Sequence, residues 1–411
     1  MYQKKVFQCI GTSVFGSTTN QIYPVKLGEP KVKTDSNRLG FTNLRLQGII
    51  CLVCCILFFV SCRKEIPPKR IDLNSITGFY LLNEGVMGTN KASIDYYDYK
   101  EEIYLRNIFP SVNPDVVFEL GDVGNDLKIY GSRLYAVINN SGLIEVMDKK
   151  TAKHIGQFAI PNCRSIAFYG NKAYVSSYAG AVYGTSQIGF VAEIDTATLQ
   201  ETRRVNVGYQ PEEMEVIGDK LYVANSGGYN IPSYDNTVSI IDLQSFKEIK
   251  KLAVAINLFH LKKDNSGNIF VSSRGNYDDV PSSIFKINIQ TETVENLNIT
   301  CDNFCISGDS LFVVSVEYNP DYSLKGKNYI IYNIKNKNII TNNFITDGTD
   351  ASITTPYDID FNPQRKEIYV TDVKTYTVSG EILCFSVDGK KKWSKVTGYV
   401  PSKIAFLIEN N

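Results

Sequence analysis

Residues 214–242 read MEVIGDKLYVANSGGYNIPSYDNTVSIID. Three short apolar stretches lie within them, at 214–216, 221–223 and 238–241. Each is too short for a buried helix and is rich in β-branched or aromatic residues, so each reads as a strand. Gly218-Asp219-Lys220 makes the first turn, and a longer loop rich in Gly, Asn and Ser makes the second. The third strand ends in Asp242, whose short carboxylate can bond the backbone ahead of it and start another turn.

The pattern recurs along the chain. Its central triplet appears as Phe79-Tyr80-Leu81, Leu134-Tyr135-Ala136, Ala173-Tyr174-Val175, Leu221-Tyr222-Val223, Ile269-Phe270-Val271, Leu311-Phe312-Val313 and Ile368-Tyr369-Val370. The closing Asp or Asn recurs at Asp98, Asp148, Asp195, Asp242, Asn288, Asn333 and Asp388, at spacings of 45 to 55 residues. Four short strands per repeat of that length is the pattern of a propeller blade. The expected fold is all-β: a single seven-bladed β-propeller of four-stranded antiparallel blades over residues 76–411, with no helix. The first triplet has no innermost strand before it, and residues 401–406 form an innermost strand with nothing after it. The ring is therefore expected to close by pairing the C-terminal strand into the first blade, which removes exposed sheet edges.

Residues 49–60 read IICLVCCILFFV, twelve apolar residues. That is short for a membrane span and matches the core of an export signal. Ser61-Cys62 follows, a small residue and then a cysteine, as in a bacterial lipobox. Residues 1–61 are expected to be a lipoprotein signal peptide, with the start codon set too far upstream. Cys62 is expected to be lipidated, and residues 62–75, with Pro67-Pro68, to form a tether. The part after residue 61 holds 36 basic and 41 acidic residues, which argues against a nucleic-acid partner. It keeps only Cys163, Cys301, Cys305 and Cys384 besides Cys62, too few for a disulfide framework. With His154 and His260 alone, neither a zinc site nor a histidine triad is expected.

The innermost strand of each blade lines the central channel, so the residues that open it ring the channel mouth. In register these are Asp126, Ser165, Glu213, His260, Asn303, Asp358 and Lys403. One step earlier stand Asn125, Arg164, Glu212, Phe259, Asp302, Tyr357 and Ser402. A water-filled mouth accounts for such polar rings as readily as a ligand does. Glu212, Glu213 and Asp358 could also ligate calcium together with carbonyls. The loops on the same face, at 83–92, 138–142, 176–189, 225–236, 273–282, 316–328 and 372–380, are rich in Tyr and Asn, and several exceed ten residues, longer than a hairpin needs. Tyr brings large contact area at low rotamer cost, and Asn brings adaptable hydrogen bonds. The expected ligand-binding set is Asn125, Asp126, Arg164, Tyr178, Tyr209, Gln210, Glu212, Asn225, Tyr229, Tyr234, Arg274, Tyr277, Tyr318 and Tyr357. No catalytic residue, metal or catalytic cofactor is expected. Trp393 is the sole tryptophan, which counts against a quinone-cofactor propeller with stacked tryptophans.

Tyr222-Val223-Ala224-Asn225 resembles the YVTN repeat of YncE-like propellers, and Tyr369-Val370-Thr371-Asp372 is a looser copy. Asn83-Glu84-Gly85, Gly121-Asp122-Val123-Gly124-Asn125-Asp126-Leu127, Pro161-Asn162-Cys163-Arg164 and Gly208-Tyr209-Gln210-Pro211-Glu212-Glu213-Met214 add to this. With Ser61-Cys62 they resemble exported YncE-like propeller lipoproteins of Bacteroidota, among them the BtuG-type proteins. The resemblance implies an outer-membrane, lipid-anchored protein displayed at the cell surface. It also implies capture of cobalamin (vitamin B12) or a related corrinoid for a TonB-dependent transporter. Arg63-Lys64-Glu65 departs from the acidic cluster that favours surface export, having one acid only. A glycan- or protein-binding surface module, and a metal-assisted, lactonase-like hydrolase, are the alternative readings.

Overall fold

The computed structural model describes residues 77–180, 187–319, 321 and 323–408. The chain divides into Met1–Asp72 and Leu73–Asn411. The signal segment, Cys62, the tether and the loop residues Tyr183 and Tyr322 lie outside the described residues.

The second unit is a propeller of seven four-stranded antiparallel sheets among the described residues. Blade 1 joins Pro401–Leu407 to Gly78–Asn83, Ser93–Asp98 and Ile103–Leu105, so the C-terminal strand closes the ring. Blade 2 runs Gly124–Tyr130, Arg133–Ile138, Leu143–Asp148 and His154–Ala159. Blade 3 runs Cys163–Tyr169, Lys172–Ser177, Ile188–Asp195 and Glu201–Tyr209. Blade 4 runs Pro211–Ile217, Lys220–Asn225, Thr237–Asp242 and Lys247–Ala253. Blade 5 runs Leu258–Lys263, Ile269–Ser273, Ser283–Ile287 and Val294–Asn296. Blade 6 runs Asn303–Ser307, Ser310–Tyr318, Leu324–Asn333 and Asn338–Thr341. Blade 7 runs Pro356–Asn362, Glu367–Asp372, Ser379–Ser386 and Lys391–Tyr399.

The apolar triplets occupy the second strand of every blade. Such a strand is covered on both faces, so successive side chains enter two different cores. Tyr80 and Leu82 pack toward blade 2 with Leu134, Ala136 and Ile138. Phe79 and Leu81 pack toward blade 7 with Tyr369 and Ile382. Tyr135 and Val137 turn the other way, to Val175 and Ile166 of blade 3. One core cluster lies at each blade–blade interface. Trp393 belongs to the closing interface, stacked on Tyr97 at 4.5 Å between ring centroids.

The closing Asp or Asn works as a turn residue in six blades. Asp148 Oδ1 accepts from the backbone N–H of Lys150 and Thr151, both at 2.9 Å. Asp98, Asp195, Asp242, Asn288 and Asn333 accept from N–H groups two or three residues ahead. Asp388 differs: the blade 7 strand ends earlier, at Ser386, whose Oγ donates to Asp388. Replacing Asp148 by Ala removes the side-chain acceptor of two backbone N–H groups and should cost about 1–2 kcal/mol. Urea denaturation checks this, and an unchanged midpoint would deny the turn its role.

Two expectations are corrected. A helix, Ile108–Val112, lies in the long link from blade 1 to blade 2 and buries Ile108 and Phe109 in that interface. Five residues are too few to display a helical period, which is why the sequence hid it. The blade 6 loop expected at 316–328 is mostly hairpin, since Val316 pairs with Lys327 and Glu317 with Gly326. Asn328 Nδ2 donates to Ser315 Oγ and Glu317 Oε1, and Lys325 pairs with Glu317 at 2.9 Å, holding the extension. The four cysteines in the described residues are buried and free.

Candidate functional site

The channel-mouth residues owe their position to a repeated irregularity. In blade 3, Cys163 pairs with Ser177 and Ile166 with Val175, so Arg164 and Ser165 together face Ser176. The same slip places Glu212-Glu213 in blade 4, Phe259-His260 in blade 5 and Tyr357-Asp358 in blade 7. Asn125 and Ser402 are the extra residues of blades 2 and 1. A β-bulge bends the strand and re-aims side chains, so both predicted rings sit on bulges except in blade 6. Hydroxyls opposite the bulges take up freed backbone N–H groups. Ser176 Oγ accepts from Ser165, Ser272 Oγ from His260 and Thr371 Oγ1 from Asp358.

The deeper ring is tied together as a hydrogen-bonded collar. Asp126 Oδ2 accepts from Ser165 Oγ at 2.7 Å and from Ile166 N–H at 3.0 Å, tying blade 2 to blade 3. Glu213 Oε2 accepts from Leu261 N–H at 3.1 Å, tying blade 4 to blade 5. Asn303 Nδ2 donates to Asp358 Oδ1 at 2.6 Å, tying blade 6 to blade 7. Lys403 then reaches from the closing strand to Glu213, 2.7 Å away, and Lys262 approaches the same carboxylate at 3.1 Å. His260 Nδ1 lies 2.8 Å from Glu213 Oε1. Burial drives the His260 pKa down to about 4, against the pull of Glu213. Burial pushes the Glu213 carboxyl up, but Lys262, Lys403 and His260 outweigh it and hold it well below the usual range. Burial raises the Asp358 pKa to about 7, against Lys403.

These contacts bear on the calcium reading. No group of three or more His, Cys, Asp or Glu among the described residues is placed to hold a metal ion. Glu213 is already shared by a histidine and two lysines.

The outer ring is built around Glu212. Its Oε2 accepts from Arg164 Nε at 2.9 Å, and its Oε1 from Tyr178 Oη at 2.5 Å and Arg274 Nη2 at 3.2 Å. Burial would raise the Glu212 pKa, yet Arg164 and Arg274 hold it below the ordinary glutamate value. Asn125, with its amide oxygen toward the guanidinium, accepts from Arg164 Nη1 at 2.6 Å and Nη2 at 3.2 Å. Arg164 lies 4.8 Å above the Tyr178 ring and Arg274 3.4 Å above Phe259. Tyr229 meets Tyr178 edge-on at 6.3 Å. Blades 2 to 5 thus converge, and Asn125, Arg164, Tyr178, Glu212, Tyr229 and Arg274 of the expected set come together.

Other expected residues stand around this centre. Tyr357 Oη donates to Glu84 Oε1 at 2.8 Å and meets Tyr376 edge-on. Tyr234, half-buried, reaches the Asn276 carbonyl at 3.4 Å, beside Tyr277 on the blade 5 loop. Tyr318 ends the long blade 6 strand. Three expected residues have side chains engaged within the fold, and a fourth, Tyr209, is held there through its backbone. Asp126 belongs to the collar. Asn225 is wholly buried, donates to Thr237 and Ser239 and accepts from Gly208 N–H. Gln210 is buried, with its Oε1 accepting from Tyr229 N–H. Tyr209 anchors its backbone N–H on Asp235 Oδ2. Asn225 and Gln210 thus supply side-chain acceptors to backbone N–H groups that a chain reversal would otherwise leave unpaired.

Glu84 was missed as a site residue. Burial pushes its carboxyl up to about 7, against the bond from Tyr357 and the charges of Arg164 and Lys403. It follows the second strand of blade 1, as Tyr178 follows that of blade 3 and Arg274 that of blade 5. That third register position was the available signal.

Residues 77–400 match the family model described as a domain of unknown function, DUF5074. No curated protein matches the chain. Among solved structures, the hydrazine synthase of Kuenenia stuttgartiensis is similar at a TM-score of 0.50 and 15% identity, over 64% of this chain and 76% of that one. Apo AztD from Citrobacter koseri is similar at a TM-score of 0.50 and 11% identity, over 80% of this chain and 98% of that one. At these identities the likeness is one of fold.

Proposed function

We propose that this chain, which belongs to the DUF5074 family, is a non-catalytic binding protein whose loop face captures an organic ligand. One observation carries the reading: two arginines, each laid over an aromatic ring, share the single buried carboxylate of Glu212 at the channel mouth. Half-buried Tyr229, Tyr234, Tyr277 and Tyr357 surround them. Tyr and Arg are the usual anchors of recognition.

Within this class the ligand we favour is a corrinoid, cobalamin first. The support is the motif resemblance at 83–92, 121–127, 161–164 and 208–214 to exported YncE-like propeller lipoproteins, among them the BtuG-type proteins, together with the chemistry of the mouth. Cobalamin is a wide disc edged with amides and carries a nucleotide loop. Phenol, amide and guanidinium groups around a broad opening complement it. On this reading Cys62 carries the lipid that anchors the chain in the outer membrane, and a TonB-dependent transporter receives the ligand. The alternative of a glycan-binding module draws on the same Tyr and Asn loops.

Titration of residues 63–411 with cyanocobalamin, by calorimetry and by co-elution of the corrin absorbance, tests the proposal. The expected result is one-to-one binding and a red protein after desalting. Absence of both heat and co-elution at micromolar concentrations would overturn the corrinoid assignment and direct the search to polysaccharides.

A further inference from the structure

Blade 5 ends its sheet early. Its outermost strand, Val294–Asn296, has three residues, where those of blades 3, 4 and 7 have seven to nine. Beyond it Asn298 takes the left-handed conformation at φ 54°, with its N–H bonded to Asn296 Oδ1 at 2.8 Å. The corner that a longer strand would cover holds a cavity of about 410 Å³. Its apolar lining is Ala255 and Ile256 from the link into blade 5, Val280 and Pro281 from the blade 5 loop, and Phe285 from the third strand. Ala255 and Phe285 rest on the core between blades 4 and 5, so the cavity lies at the outer edge of that core. Val280 is 42% exposed, an apolar side chain kept in water at the opening. Covering such surface is favourable.

The serine hydroxyls around the cavity are spent within the fold. Ser273 Oγ donates to the Ile256 carbonyl and Ser283 Oγ to Asn296 Oδ1, both at 2.6 Å, and Ser282 Oγ accepts from Cys301 N–H at 3.3 Å. Asn296 Nδ2 and the Thr300 hydroxyl make no hydrogen bond among the described residues, and both residues line the cavity. A mostly apolar concavity of roughly 300–1,000 Å³ with a few polar groups is the form that small-molecule sites take. The mouth lies on the other side of one backbone layer. Ile256 and Ser273 line the cavity, whereas the next residue of each segment, Asn257 and Arg274, faces Gly228 of the blade 4 loop. Arg274 N–H donates to the Asn257 carbonyl at 3.0 Å and closes that wall.

We infer that this cavity is a second binding site, for a small molecule with an aromatic or branched aliphatic body and one hydroxyl or carbonyl group. The body lies on Ile256, Val280 and Phe285, and the polar end meets Asn296 and Thr300 at the opening. The volume favours a free small molecule over the anchor side chain of a protein partner, since it is larger than one side chain fills. The inference does not rest on the corrinoid reading, which concerns the other side of the wall.

The closed ring and its core clusters lie within residues 77–408, so residues 63–411 serve for the test. They are titrated with 2-naphthol, an aromatic body with one hydroxyl, followed by its fluorescence. Saturable one-to-one binding at about 1 mM or tighter is expected. Val280→Asp sets a charge on the lining from an exposed position and should weaken binding about tenfold or more. Ala255→Met fills part of the volume and should do the same. Thermal melts confirm that each variant folds, and Val280→Asp serves alone if Ala255→Met does not. No saturable binding, or binding that survives Val280→Asp, would overturn the site. Binding of N-acetylphenylalanine amide without binding of 2-naphthol would give the cavity to a partner's side chain and overturn the small-molecule assignment. Cyanocobalamin is titrated in parallel, and its failure to bind would sink the corrinoid reading while leaving the cavity site standing.

Discussion

Glu213→Gln should destabilise the propeller by about 3–5 kcal/mol, the loss expected when one partner of a buried charge network is removed. Glutamine has nearly the same shape, so packing changes little and the loss is electrostatic. Lys262 and Lys403 would be left side by side without their shared anion, and Leu261 N–H would lose a charged acceptor. Blade 4 would lose its tie to blade 5 and its ion pair to the closing strand. Adding Lys403→Met should recover part of the loss, because it removes one stranded cation. The pH dependence has a fixed sign. The folded Glu213 pKa lies below its unfolded value, so its contribution is present above the unfolded pKa and fades as pH falls through the folded one. The variant should therefore show a flatter acid limb in stability against pH. A melting temperature within a degree or two of wild type would mean that the collar does not hold the ring.

Deleting residues 401–411 should have a still larger effect. The strand Pro401–Leu407 supplies the innermost strand of blade 1, with Leu81 paired to Ile404 and Phe79 to Phe406. Without it, the fully buried strand Gly78–Asn83 becomes a bare edge, and the closing core loses Ile404 and Phe406. An apolar open edge invites pairing with other chains. The truncated chain is expected to aggregate or to lose cooperative unfolding. Trp393, the sole tryptophan, reports directly, since it stacks on Tyr97 across the closing interface. Its emission should move to that of a solvated indole. Retention of wild-type emission and of a single sharp transition would show that closure is dispensable.

The blades were legible because propeller strands repeat their demands. A second strand covered on both faces must be apolar at successive positions, and a strand that turns sharply must end in Asp or Asn. Both signals are local and recur at a near-constant spacing. The two channel rings were legible for the same reason, as fixed register positions. What each ring residue touches was not. Lys403 and Glu213 are 190 residues apart, and nothing local in the sequence marks their meeting. Asn225 and Gln210 carry loop-like polar side chains, yet both are consumed by nearby backbone and hydroxyl groups. The bulges that aim Arg164 and Glu212 depend on a one-residue slip against the neighbouring strand, visible only once the pairing is known. Glu84 escaped because its role comes from facing Tyr357 of blade 7 across the closure.

Hydrogen exchange of residues 63–411, with and without saturating cyanocobalamin, tests the central claim most directly. The account predicts protection of the backbone around 84–92, 226–236 and 274–282 and of the bulges at Arg164 and Glu212. Turns on the opposite face, such as Gly131-Ser132, Gly218-Asp219 and Gly308-Asp309, should exchange as before. Protection centred on those turns, or none at the mouth despite bound ligand, would contradict it.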